Sequence, residues 1–347
     1  MHQRGDEFRR LAGRQQGIFL IGVDSPIAAI VAEKAIQDHA AKHQHSWVDG
    51  VYIGGFAAAG INGWPDMEIF KGEEMYRHVK NITRVTHLPA MADADTGYGG
   101  IHDTIRTVTE YFTVTGVVAL HIEDQVTPKR CGHIAGKHVL TLEEFLGKLK
   151  AAIDTKNEID PSLVIVARTD AYNAANFKET LGFDGDLEEI VRRARAFVEI
   201  GADAVWAEFP NPDKKSFEAF ARAMEGHLPP LGITFNFSSS FPWHKSKNRI
   251  TREELNQMGA KVLFNTYQII TEKTVHDYNL VTDFCGKQDP GAVLSRRMLS
   301  LNGHPMESFK KTIKVEEYQD IEAKYSALAK KNLERSKGFK AGDSEII

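Results

Sequence analysis

Three stretches of this chain concentrate side chains able to do chemistry. The first is Asp93-Ala94-Asp95-Thr96-Gly97-Tyr98-Gly99-Gly100, two carboxylates two residues apart and then a run of glycines. Carboxylates so paired suit a hard divalent cation such as Mg2+, which prefers oxygen ligands and keeps several of its waters. A dinucleotide-binding loop is excluded, because no third glycine follows Gly97-x-Gly99 at the required spacing. The second stretch is Lys129-Arg130-Cys131-Gly132-His133. A lone cysteine between basic residues and a histidine is placed for a depressed thiol pKa, and so for proton transfer or nucleophilic work. Gly132 beside it permits a substrate to approach the backbone. The third group suits an organic acid. It comprises Arg168, whose planar fork matches a carboxylate, the Asn236-Phe237-Ser238-Ser239-Ser240 loop, and the hydroxyl of Thr266.

These residues need a scaffold that brings them together, and the apolar pattern supplies one. Eight short apolar runs cover 18–23, 51–53, 89–92, 117–122, 163–167, 204–207, 231–235 and 262–264. They end before Asp24, Gly54, Asp93, Glu123, Arg168, Glu208, Asn236 and Thr266 respectively, with one residue intervening in the last case. Continuous runs of this length fit strands buried on both faces of a parallel sheet. Eight of them, separated by helical stretches, predict an α/β fold, a (β/α)8 TIM-type barrel whose active site lies at the C-terminal strand ends. Glu123-Asp124 then brings two more acids beside Asp93 and Asp95. Four acids at neighbouring strand ends repel one another unless a cation sits among them. Helices are expected at 27–43, 102–111, 142–153, 187–200 and 215–224, with Asp186 as an N-cap and Gly201 as a stop. The barrel is expected over 1–270. A helical C-terminal extension over 271–347 lacks the strand–helix rhythm, and its stretch 314–339 carries apolar residues at helical spacing.

Composition bounds the rest. A chain of 347 residues that is 42% hydrophobic and 26% charged is an ordinary globular sequence with material for a large core. A formal charge of −4 provides no basic field for nucleic acid, and no apolar stretch approaches a membrane span. Two cysteines exclude a disulfide scaffold and point to a reducing, cytoplasmic setting. Cys285 has no polar company and reads as structural. His39 and His43 stand four apart on an outer helix and read as solvated surface.

Taken in order, ADADTGYGG, HIEDQ, KRCGHIAGK, ARTDA, VWAE and NFSSSFPW resemble isocitrate lyases of the isocitrate lyase/phosphoenolpyruvate mutase superfamily. The resemblance implies a Mg2+-dependent carbon–carbon lyase, with Mn2+ able to substitute, that cleaves a small 2-hydroxy di- or tricarboxylate by a retro-aldol step. Isocitrate, giving glyoxylate and succinate, is the expected substrate, with methylisocitrate or a dialkylmalate as the alternative. A non-catalytic ligand-binding barrel would have lost metal and proton-transfer residues, and none is missing. The resemblance also implies roles. Asp93 would hold the cation, with Asp95, Asp66 and Glu123 acting mostly through its waters. Cys131 would be the proton donor and acceptor, and Tyr52 would handle the hydroxyl proton. Gly132, His133, Arg168, Asn236, Ser238, Ser240 and Thr266 would hold substrate beside Glu208. Members of the family are generally homotetramers that exchange C-terminal helices. One departure stands out: Gly54-Gly55-Phe56 replaces the Ser-Gly-Trp that isocitrate lyases place against the glyoxylate portion.

Overall fold

The computed structural model describes residues 2–134, 136–172, 174–175, 187–209, 214–241, 243, 249–286 and 289–335. Eight parallel strands close into one barrel in chain order. They are β1 Ile18–Gly22, β2 Gly50–Ile53, β3 Ala90–Asp93, β4 Ala119–Glu123, β5 Val164–Thr169, β6 Ala204–Ala207, β7 Ile233–Phe237 and β8 Ala260–Asn265. β8 returns to β1 with Ile18 opposite Val262. This is the (β/α)8 architecture that the apolar runs predict. All residues of β2 through β6 are buried, because one strand face fills the barrel and the other meets a helix.

The helices outside the barrel start and stop where local chemistry dictates. After α1 (His2–Ala12), α2 (Pro26–His43) opens with Ser25 accepting from the Ala28 N–H at 3.3 Å and proline in the first turn. The short α3 (Gly55–Ile61), α4 (Gly72–Thr83) and α5 (Ile101–Glu110) follow. α6 (Leu142–Ile159) is capped by a reciprocal Thr141–Glu144 pair and runs beyond the expected end at 153. α7 (Leu187–Glu199) ends before Gly201, whose φ of +101° closes the helix. The expected cap Asp186 lies outside the described residues. α8 (Lys214–Ala223) and α9 (Arg252–Gln257) complete the set around the strands. Periodicity did not announce α3, α4 or α9. α3 and α9 are two turns or fewer, too short for a stripe to repeat.

The chain divides into two compact units, Met1–Lys273 and Thr274–Ile347. α10 (Gln268–Cys285) leads into the second, which contains α11 (Pro290–Leu301), α12 (Phe309–Thr312), α13 (Val315–Tyr325) and α14 (Ala327–Arg335). The stretch expected as one helix over 314–339 is therefore two. Ser326 turns extended between them (φ −137°, ψ 111°), and residues from 336 on lie outside the described set. Among the described residues no helix is long and apolar enough to cross a membrane.

One polar feature of the barrel wall is wholly buried. Arg193 of α7 donates to Asp124 Oδ2 at 2.9 Å, to Glu189 Oε1 at 2.8 Å and to the Leu140 carbonyl at 2.9 Å. Asp124 also accepts from the Thr169 hydroxyl at 2.7 Å and the Asp170 N–H at 2.8 Å. The guanidinium thereby bolts α7 to the ends of β4 and β5. Removing one partner of such a group strands the others without compensation. Arg193→Met is expected to lower the unfolding free energy by about 3–5 kcal/mol in denaturant titration. A loss under about 1 kcal/mol would show that the network carries no stability.

Candidate active site

At the C-terminal strand ends the carboxylates are placed by backbone donors. Asp93 Oδ2 accepts the Gly55 N–H and its Oδ1 the Asp95 N–H, each at 2.9 Å. The Asp93 carbonyl accepts from the Tyr111 hydroxyl at 2.5 Å. Tyr111 opens a π-helical turn, Tyr111–Thr115, a local widening often found near working sites. Asp66, from the loop after α3, and Asp95 share the ammonium of Lys129, at 2.5 and 2.7 Å. Glu123 accepts from Gln125 Nε2 at 3.0 Å and faces Arg168 Nη1 at 3.1 Å.

Electrostatics splits these acids. Burial alone would raise Asp93, but His121, Lys129 and Arg168 outweigh it and hold its pKa at about 2. Burial raises Asp95 to about 7, the charges of Asp93 and Asp66 adding to it against the opposing pull of Lys129. Burial likewise raises Glu123 against the pull of Arg168.

Among the described residues, no three His, Cys, Asp or Glu side chains converge into a metal-holding group. A direct four-acid cage is thus not what the structure presents. The Lys129 ammonium stands between Asp66 and Asp95, and Arg168 covers Glu123, so basic side chains already partner three of the acids. Asp124, read from sequence as a fourth acid at neighbouring strand ends, turns to Arg193 instead. The remaining donor set still fits a hard cation. Every candidate ligand atom is a carboxylate oxygen, and Asp95 Oδ1 and Glu123 Oε2 are buried against the Lys129 ammonium and the Arg168 guanidinium respectively. One direct carboxylate, with its neighbours reached through water, matches this spacing.

Facing the acids is a cysteine–histidine–glutamate line. Cys131 Sγ lies 4.0 Å from His133 Nδ1, and His133 Nε2 is ion-paired with Glu208 at the end of β6. Burial opposes a charged imidazole there, but the Glu208 carboxylate overrides it and lifts His133 to about 10. Ser240 Oγ reaches His133 Nδ1 at 3.2 Å and Ser238 Oγ at 2.7 Å. Gly132 is a steric requirement: a Cβ there would come within 2.5 Å of Arg168 Nη2 and 2.6 Å of Glu208 Cγ. The cysteine loop is docked onto the Asp66 loop by Cys131 N–H to Asp66 O at 3.0 Å and Lys129 N–H to Glu68 at 2.6 Å.

The two faces enclose a pocket of about 270 Å³. Tyr52, Gly54, Phe56, Asp66, Asp93, Cys131, Gly132, His133, Arg168, Glu208, Asn236, Ser238, Ser240 and Thr266, each a site residue read from the sequence, all line it. Asp95, Glu123 and Gly55 stand behind that lining, Gly55 as a backbone donor to Asp93. The fork expected to receive a carboxylate is engaged, since Arg168 donates Nε and Nη2 to Asp170 at 2.7 and 3.0 Å. Glu208 Oε2 and Asn236 Oδ1 are buried acceptors without a hydrogen bond. A Cβ at Gly54 would stand 2.7 Å from Tyr52 Cε1, so a serine there requires the tyrosine ring to move.

Sequence reasoning passed over His121, Asp170, Trp206 and Tyr267. His121 is fully buried, 2.9 Å from the Tyr52 hydroxyl and 3.5 Å from Asp93 Oδ1. Strand alternation could have found it, because residues 121 and 123 share one face of β4. Trp206 lies under Arg168, its ring 4.3 Å from the guanidinium carbon.

A closed (β/α)8 barrel with an acid face opposite a cysteine–histidine–glutamate line defines an enzyme of acid–base chemistry. The phosphoenolpyruvate phosphomutase family model matches residues 8–273, and the chain belongs to this family, the phosphoenolpyruvate mutase/isocitrate lyase superfamily. An isocitrate lyase of Haloferax volcanii is 36% identical over 100% of this chain and 94% of that protein. A 2,3-dimethylmalate lyase of Eubacterium barkeri is 38% identical over 48% of this chain and 54% of its own length. A solved 2,3-dimethylmalate lyase structure superposes with TM-score 0.72 at 25% identity, covering 93% of this chain and 95% of the other. With such relatives the chain is a carbon–carbon lyase.

The His133–Glu208 pair has a measurable signature. A folded-state pKa of about 10, above the ordinary 6.5, means the pair's stabilisation is complete below pH 6.5 and fades as pH rises through 10. NMR titration should find the His133 ring protonated at pH 8. In Glu208→Gln the midpoint should fall well below 10, and an unchanged midpoint would remove Glu208 as its cause.

Proposed function

We propose that this enzyme is a Mg2+-dependent lyase that cleaves isocitrate to glyoxylate and succinate. The observation that carries the reading is the placement of Cys131, His133 and Glu208 across one pocket from the Asp93 carboxylate. The isocitrate lyase that matches along the whole chain supports the choice of substrate. Asp93 would hold the cation, with Asp95, Asp66 and Glu123 around its waters. When bound, a divalent ion of this kind supplies Lewis-acid polarisation of the 2-hydroxycarboxylate oxygens.

The protein's own groups then divide the proton work. Burial raises Tyr52 well above the ordinary phenol range, so it stays protonated and relays rather than abstracts. As the substrate hydroxyl loses its proton toward Tyr52, the phenol passes its own toward His121 Nε2, 2.9 Å away; burial lowers that imidazole's pKa to about 4, and the Asp93 carboxylate 3.5 Å from its Nδ1 is the charge that favours its protonated form. The carbon–carbon bond breaks, its electrons move to the departing carbon, and the Cys131 thiol delivers the proton that completes succinate. His133, kept charged by Glu208, stabilises the thiolate left behind. The Asn236–Ser240 loop presents hydroxyl and amide groups to the carboxylate on which negative charge develops.

A purified-enzyme assay with Mg2+ against isocitrate, 2-methylisocitrate and 2,3-dimethylmalate, scoring the 2-oxo acid released, tests the substrate. Isocitrate is expected to give the highest kcat/KM, and no turnover of it would overturn the proposal. Chelation or Asp93→Ala should abolish cleavage with the barrel's circular dichroism intact; full activity without divalent metal would remove the cation from the reaction. Cys131→Ser should bind substrate yet lose about 10²-fold or more in kcat. Cys285, exposed in the second unit, should be replaceable by serine without loss. The opposite pattern would transfer the role from one cysteine to the other.

A further inference from the structure

The pocket wall beside the acid face is closed by an aromatic pair. Phe56 stacks on Tyr267, ring centroids 4.4 Å apart and planes 28° from parallel. Tyr267 follows Thr266 just beyond β8, on the opposite side of β1 from the Phe56 loop. Both rings line the pocket together with Ala57 and Ile134. Phe56 comes directly after Gly55, whose N–H holds Asp93 Oδ2. The aromatic pair therefore flanks the acid end, where the half of the substrate that becomes the 2-oxo acid lies. Tyr267 and Ser240 both line this pocket. Ser240 in turn contacts His133 Nδ1 at 3.2 Å and Ser238 Oγ at 2.7 Å.

We propose that Tyr267 determines the specificity of this pocket: stacked on Phe56, it fills the space beside the oxo-acid half, admitting an unsubstituted 2-oxo acid and excluding alkyl homologues. The inference rests on the lyase reading above. Its physical basis is close packing. Two rings in van der Waals contact leave no room for a methyl group without displacing one of them, and such a clash in a packed site is costly.

The test compares kcat/KM for 2-methylisocitrate and isocitrate in wild type, Tyr267→Ala and Tyr267→Phe, with Mg2+ present. Wild type should prefer isocitrate. Tyr267→Ala should raise the methylisocitrate-to-isocitrate ratio at least about tenfold, the scale on which one methyl group is discriminated in an apolar pocket. Tyr267→Phe, which keeps the ring stacked on Phe56, should keep the wild-type ratio. Calorimetric binding of pyruvate against glyoxylate gives the same ratio without turnover. If wild type cleaves neither substrate, the lyase reading fails while the binding ratio still decides Tyr267. Tyr267→Leu replaces the alanine variant should that one not fold. An unchanged ratio in the folded variant, or a wild type that prefers the methylated substrate, overturns the proposal.

Discussion

The site depends on burying several carboxylates in one place. Asp66, Asp93, Asp95 and Glu123 crowd the ends of β3 and β4, and all four are buried. Their repulsion and their lost hydration must be offset by positive charge, and two side chains provide it, Lys129 and Arg168. Both basic groups sit among opposing charges that keep them protonated despite burial. Most of what surrounds the site serves this balance. Gly55 and Asp95 donate backbone N–H groups to Asp93, and Asp170 turns Arg168 toward Glu123. The outcome is one carboxylate, Asp93, held firmly ionised beside Asp95 and Glu123, which burial pushes toward the neutral form.

The proton-transfer side follows the same logic with opposite sign. A buried imidazole would ordinarily be neutral, but Glu208 reverses that for His133. The imidazole 4.0 Å from Cys131 is consequently a cation, which favours the thiolate that proton delivery leaves behind. The two charge systems meet through Arg168, which touches Glu123 on one side, Asp170 on the other and the face of Trp206 below. Arg168, which lines the pocket, thus joins the halves of the site through its ion pairs.

The fold was legible because a doubly covered parallel strand leaves an unmistakable trace, an apolar run that ends abruptly in polar residues. Six residues of the pocket lining were legible for the same reason, since Gly54, Asp93, Arg168, Glu208, Asn236 and Thr266 stand at those endings. The misreadings have particular causes. Asp124 was counted with the acids although adjacent residues on a strand face opposite ways, and it serves the wall through Arg193. His121 was hidden inside an apolar run. The Asp170 partnership could not be foreseen, because a fork that suits a substrate carboxylate suits a neighbouring aspartate equally well. Tyr267 lies past the strand end, and only the closed barrel brings it against Phe56.

The bonds between the Asp66 loop and the cysteine loop bear on how such a protein can change over time. The Cys131 amide, the Lys129 amide and the Lys129 ammonium all fasten onto residues 66 to 68. An insertion or deletion in either segment would carry the thiol away from the acid face, whatever happened to the strands beneath. Barrel enzymes commonly diversify one loop at a time. Here the second and fourth loops are tied together through the backbone, so a new specificity is more readily acquired on the loops after β7 and β8, which meet them through side chains, Ser240 on His133 and Tyr267 on Phe56.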